Sequence, residues 1–143
     1  VFSGSTALPP GLVQAYRETH YRVLGDDSFS LTIDVPSPEL ARAHRRHGVD
    51  SSAFLTACNP FSRSLSDDEN IALQSVLSGA LRSLGLLFID GLGQHPSNGW
   101  QGEASFLALG ATRDQACHLG TRFEQNAIVW AGADAVPRLV LLR

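Results

Sequence analysis

Hydrophobic and polar positions switch along the chain between a two-residue and a three-to-four-residue period, so its elements can be read in order. Behind Pro9, Pro10 and Gly11, residues Leu12, Val13, Tyr16 and His20 fall near one helical face and predict a short helix over 10–19. Residues 21–24, the turn Gly25-Asp26-Asp27 and the stretch SFSLTIDV predict a hairpin, since glycine and aspartate supply turn geometry. Phe29, Leu31, Ile33 and Val35 alternate with Ser30, Thr32 and Asp34, so the second strand is expected to run to Val35 with one wet face. Ser37-Pro38-Glu39 combines a capping serine, a proline at the first helical position and an acid in the first turn. The helix that it opens stops at Gly48. A short apolar strand over 52–57 is broken by Cys58-Asn59-Pro60.

Ser66 and Glu69 have capping-box spacing. They open a long helix whose stripe reads Leu73, Val76, Leu77, Ala80, Leu81 and Leu84, ended by Gly85. Leu86 to Ile89 reads as a buried strand that empties into a loop, Asp90-Gly91-Leu92-Gly93. Strand, helix and strand in this order predict a right-handed parallel βαβ unit. Residues 94–102 read as a polar loop around Trp100, and 103–110 as a strand antiparallel to 86–90. A second capping box starts at Thr112, its helix reaches about Gln125, and strands follow over 127–130 and 138–142. The expected fold is α+β: a single mixed sheet of about six or seven strands with helices packed on it, containing one parallel βαβ unit. Residues 1–9 are expected to be loose, and 10–143 to form one globular domain.

Composition narrows what such a domain can do. With 43% hydrophobic and 17% charged residues in 143, the chain can fill a core. A net charge of -3 leaves no basic track for a nucleic acid, and no apolar run is long enough to span a bilayer. Neither nucleic acid nor membrane is therefore an expected partner. The first residues, VFSGSTALPPG, lack the basic and apolar regions of a secretory leader, so a cytoplasmic location is expected. All 11 basic residues are arginine, which removes a Schiff-base lysine and a phosphate-loop lysine. Cys58 and Cys117 sit among apolar residues and read as buried thiols. His44 and His47 share a helix but lack a third ligand, so no metal and no cofactor are expected.

Ligands of open α/β sheets bind beyond the carboxyl ends of parallel strands, here strands 53–57 and 86–90. Thr56, Asn59 and Gly91 lie there. Asn70, on the same stripe as Leu73 and Leu77, brings an amide to the start of the crossover helix. Asn126 is expected at the same end, because the helix before it must return the chain from the far end of strand 103–109. Trp100 and Glu103 complete the set, Glu103 as a carboxylate at a strand mouth whose acidity desolvation can weaken. Each has a plainer explanation: asparagines tie loops to backbone, and glycines allow close packing.

The blocks FLTACNPFSRSLSDDENIALQSVL, GLGQHPSNGWQGEASFLALG and RFEQNAIVWAGADAVPRLVLL together resemble an uncharacterised bacterial family, domain of unknown function 3293, over residues 16–142. The resemblance implies a small single-domain protein and carries over no activity, substrate or catalytic residue. Three readings follow from the residues. The first is a small-molecule-binding or regulatory domain lined by the amides. The second is a small enzyme using Glu103 as general acid or base. The third is an interaction domain, with the apolar strand 138–142 at a sheet edge pairing with a second copy as a homodimer.

Overall fold

The computed structural model describes residues 6–97, 99 and 102–143. Four α-helices and seven strands follow in the order α1 (Pro10–Glu18), β1 (His20–Val23), β2 (Phe29–Leu31), α2 (Pro38–His47), β3 (Ser52–Leu55), α3 (Asp67–Ser83), β4 (Leu87–Gln94), β5 (Glu103–Leu109), α4 (Arg113–Arg122), β6 (Ala127–Ala131) and β7 (Arg138–Leu141), with a single 3-10 turn at Pro60–Ser62. Capping fixes the helix starts as the sequence suggests. Ser37 Oγ accepts from the Leu40 amide, and Ser66/Glu69 and Thr112/Gln115 form reciprocal capping boxes. Gly48, at a φ of 65°, ends α2 in the left-handed conformation that glycine adopts freely.

The sheet order is β2-β1-β4-β5-β3-β6-β7, and every neighbouring pair is antiparallel. This corrects the expected parallel βαβ unit. Strands β3 and β4 do point the same way, but β5 lies between them and pairs with both. Helix α3 therefore crosses over one intervening strand, which β5 fills on its return from β4. The second strand of that unit is also longer than expected. Asp90-Gly91-Leu92-Gly93 is no loop but the middle of β4, laddered to Ala104–Phe106 and Glu103 on one side and to Tyr21–Val23 on the other. Glycine contributes a full backbone donor and acceptor to a ladder, so losing the side-chain alternation did not end the strand. The hairpin strand, in contrast, stops at Leu31, and Asp34 turns the chain at a φ of 65°.

The sheet is curled, and its two borders meet: the Asp34 amide donates to the Pro137 carbonyl, and the Ser37 amide to Ala135. Its inner face carries Tyr21, Val23, Leu31, Phe54, Leu107 and Val129, packed with Leu40 of α2. The outer face carries Ala53, Leu55, Ala108 and Ile128 under Leu77 and Leu81 of α3 and Leu119 of α4. The buried stripe of α3 is rotated from the expected one. Val76 and Leu84 are exposed, and Gln74 is buried with Leu77 and Leu81. Strand β7 is an edge strand, and carbonyls at both its ends are already engaged, Pro137 by Asp34 and Arg143 by the Thr6 hydroxyl. Leu8, ahead of α1, is buried. No helix among the described residues is long and apolar enough to cross a membrane.

Candidate functional site

Antiparallel order brings the carboxyl ends of β3 and β4 to the same border as the amino ends of β1, β5 and β6. Chain segments that are far apart in sequence leave the sheet there together. The 56–65 loop is the centre of this end, and side chains hold it where no strand does. Thr56 Oγ1 donates to the Ala104 carbonyl at 2.7 Å and accepts from the Cys58 amide at 3.0 Å. Gln74 Oε1, buried on α3, accepts from the Ala57 amide at 2.7 Å. Gln125 Nε2 donates to the Cys58 carbonyl at 3.1 Å. Within the loop Asn59, Phe61 and Ser62 all have φ between 49° and 58°. Left-handed backbone costs free energy at a bulky residue such as Phe61 and persists only where the surroundings impose it.

Asn59 and Asn70 form a closed pair. Asn70 Oδ1 accepts from the Asn59 amide at 2.9 Å, and Asn70 Nδ2 donates to Asn59 Oδ1 at 2.9 Å. The Leu65 amide donates to the same Asn59 oxygen at 2.9 Å. With that oxygen doubly occupied, the orientation of the Asn59 side chain is fixed. Its nitrogen points at Glu103 and donates to Oε2 at 2.9 Å. The capping box at Ser66 engages the Ser66 and Glu69 amides at the start of α3, and the side chains of Asp67 and Asp68 fill the rest of that first turn with negative charge. Glu103 begins β5 on the inner face and is partly buried. Burial raises its carboxyl above the ordinary 4.5, and the Asn59 bond opposes part of that rise.

These groups border a cavity of about 870 Å³ between α1, the inner face of the sheet and the 56–65 loop. Thr56, Asn59, Asn70, Glu103 and Asn126 all line it. Asn126 is buried; its Nδ2 reaches the Tyr16 hydroxyl at 3.0 Å and Ser62 Oγ at 3.2 Å, and those two hydroxyls lie 2.6 Å apart. Arg143 donates to Asn126 Oδ1 at 3.2 Å, with its guanidinium over the Phe61 ring. The left-handed residue of this turn is Glu124 rather than Asn126. Gly91 does not line the cavity. Its absent side chain makes room for Phe54, whose ring atoms lie 2.7–2.9 Å from where a Cβ would stand. Gly93, two residues on, does line it, and a Cβ there would touch nothing closer than 3.9 Å. Trp100 lies outside the described residues.

Tyr16, Ser62, Gln74 and His95 also line the cavity, and the sequence reading did not select them for it. Gln74 had a signal: it lies one helical turn from Asn70 on the buried face. Ser62 had none, since nothing in Pro60-Phe61-Ser62 announces left-handed backbone. His95 Nδ1 accepts from the Ser97 amide at 3.1 Å, so Nε2 carries the proton and donates to Glu18 at 2.9 Å. Hydrogen bonds from Gln14 and then His95 hold the Glu18 carboxyl below the usual range. Both ring nitrogens of His95 are thus engaged, Nε2 by α1. The buried Cys58 thiol is pushed up by burial, faces the Ala104 carbonyl at 3.5 Å, and is an inert protonated thiol. Both cysteines are free, and among the described residues no group of His, Cys, Asp and Glu is arranged to hold a metal ion.

No curated protein and no solved structure matches the chain. A family model, described as "Protein of unknown function (DUF3293)", matches residues 55–128. That is a narrower span than the motifs suggested, yet it takes in Thr56, Asn59, Asn70, Glu103 and Asn126 and omits α1 and β7. With just over half of its length inside the match, the chain belongs to the DUF3293 family.

Proposed function

We propose that this protein is a small-molecule-binding domain and that the cavity at the Asn59–Glu103 end of the sheet receives the ligand. The observation that carries this reading is a partly buried carboxylate that has one amide partner and otherwise faces an open volume. Among the described residues the Glu103 carboxylate has one hydrogen bond, from Asn59, and no arginine against it. A structural carboxylate in a fold with 11 arginines would ordinarily be paired or left in water. The cavity size lies within the roughly 300–1,000 Å³ usual for ligand pockets, and its wall mixes apolar surface with a few fixed polar groups.

A thermal-shift screen against amines, sugars, nucleosides and carboxylates tests the reading, because a ligand that prefers the folded state raises its melting temperature. The expected result is a stabilising compound whose effect disappears in Gly93→Val, a substitution that has room at its Cβ and projects into the cavity. A screen in which no compound acts, or in which Gly93→Val responds like the wild type, overturns it.

The raised carboxyl of Glu103 favours a second reading, in which the same residue exchanges a proton with a bound substrate. Once a turned-over compound is found, Glu103→Gln separates the two readings: binding without turnover supports catalysis, and unchanged turnover removes Glu103 from it.

A further inference from the structure

The chemistry of the cavity wall restricts what can fill it. The side chains that line it include the acids Asp67 and Glu103 and no arginine, and the chain has no lysine at all. The hydrogen-bond relay behind Glu103 has a direction. The Leu65 amide and Asn70 Nδ2 both donate to Asn59 Oδ1, which forces Asn59 Nδ2 toward the carboxylate. The fold therefore prepares Glu103 to accept, and the lone pairs left over call for a further donor. An anionic ligand would meet this carboxylate, and Asp67 beside the start of α3, with no arginine or lysine on the wall to compensate. The same wall carries apolar and aromatic side chains, Leu12, Tyr21, Phe54 and Leu139, with the Tyr21 and Phe54 rings edge to face at 5.4 Å.

We infer that the occupant is a small organic cation, a protonated amine or amidinium on an apolar or aromatic body, with its charge on Glu103 and its body against the Tyr21–Phe54 rings. The inference rests on the reading of the cavity as a ligand site and names the class of ligand. A cation would reverse the cost that burial imposes on the ionised carboxylate, so binding and ionisation of Glu103 strengthen each other. Aromatic faces add attraction for the same charge.

Three probes of one shape and three charges test this with the full chain: benzylamine, benzyl alcohol and benzoate, titrated by ligand-observed NMR at neutral pH. The expected order is benzylamine first and benzoate last, with benzylamine about tenfold or more tighter than benzoate, the size of one charged hydrogen bond. In Glu103→Gln, which keeps the shape and the Asn59 contact, benzylamine loses that advantage and benzyl alcohol changes far less than benzylamine. With the wild type alone, benzylamine binding weakens on acidification as Glu103 takes up its proton, and this measurement stands if the variant folds poorly. Benzoate binding as well as or better than benzylamine overturns the cation assignment and leaves the ligand site intact. Indifference of benzylamine to Glu103→Gln, or no binding by any of the three, also overturns the assignment. The broader screen with Gly93→Val decides the site itself independently.

Discussion

Two polar pairs, one buried and one partly buried, sit near opposite ends of the same inner sheet face. At one end His44, in the last turn of α2, meets Ser52 at the start of β3 with Nε2 2.8 Å from Oγ. At the other, just past the end of β3, Asn59 meets Glu103. In both pairs burial pushes the titratable group toward its neutral form: His44 falls below 6.5, with Asp50 opposing, and Glu103 rises above 4.5. The difference lies across from them. His44 and Ser52 are 4% and 1% exposed, with the core residue Leu40 one turn before His44 on α2, and neither lines the cavity. Glu103 looks into 870 Å³ of open space. A buried polar pair is a device of folding wherever its surroundings are full, and a perturbed carboxyl becomes a candidate for function only where there is room for something else.

Mutations at the two ends should separate along this line, and the largest effect belongs to the packed end. Leu40→Ala, at a site with no exposure, should cost about 2–5 kcal/mol in urea denaturation and leave the response to cavity ligands unchanged. Gly91→Ala probes the floor between the ends. Its methyl would meet the Phe54 ring and the Arg22 carbonyl, and overpacking of this kind costs about 1–3 kcal/mol. Because Phe54 lines the cavity, this substitution alone of the four should damage stability and ligand response together.

His44→Leu removes the nitrogen, keeps bulk and leaves the Ser52 hydroxyl without its partner, at a cost of about 1–3 kcal/mol above neutrality. The wild-type His44 contribution is complete above 6.5, the unfolded value, and is lost as pH falls toward the lower folded value. Denaturation midpoints of His44→Leu should therefore depend less on pH over that acidic range. Glu103→Gln should have the smallest effect and the opposite sign. A carboxyl whose folded value is raised favours the fold fully below 4.5 and loses that contribution as pH rises through the folded value. At neutral pH the variant should match or exceed the wild type in melting temperature, with the gap closing on acidification. Glu103→Gln less stable than wild type at neutral pH would mark Glu103 as a second His44.

The sequence carried the local decisions well. Ser37, Ser66 and Thr112 cap the helices they were expected to cap, because a cap is a contact between neighbours three residues apart. It did not carry the sheet order. Placing β5 between β3 and β4 depends on which free edge a returning strand meets, and no pattern within β3, α3 or β4 encodes that. The candidate site was partly legible despite this error. Asn59, Asn70, Glu103 and Asn126 share one end whether β3 and β4 are neighbours or one strand apart, since both still point the same way. Gly91 and Gly93 were misplaced together, then separated by the structure into a seat for Phe54 and a gap in the cavity wall. Tyr16 was legible as a helical residue and illegible as a cavity residue, because only the folded sheet brings it to Ser62 and Asn126.

Helix α1 supplies Leu12 and Tyr16 to the cavity, yet none of its nine residues is buried. Polar contacts hold it: Tyr16 to Ser62 and Asn126, Arg17 to an exposed Asp34, and Glu18 to His95. With no fully buried residue of its own, α1 should separate from the rest at a lower free energy than the central strands β3 and β5. Its amides should exchange with deuterium by opening of the helix alone, far sooner than those of β3 or β5. An occupant touching Tyr16 must slow that exchange by the same factor by which it favours the closed helix, so the proton clock of α1 records occupancy without any knowledge of the ligand's name.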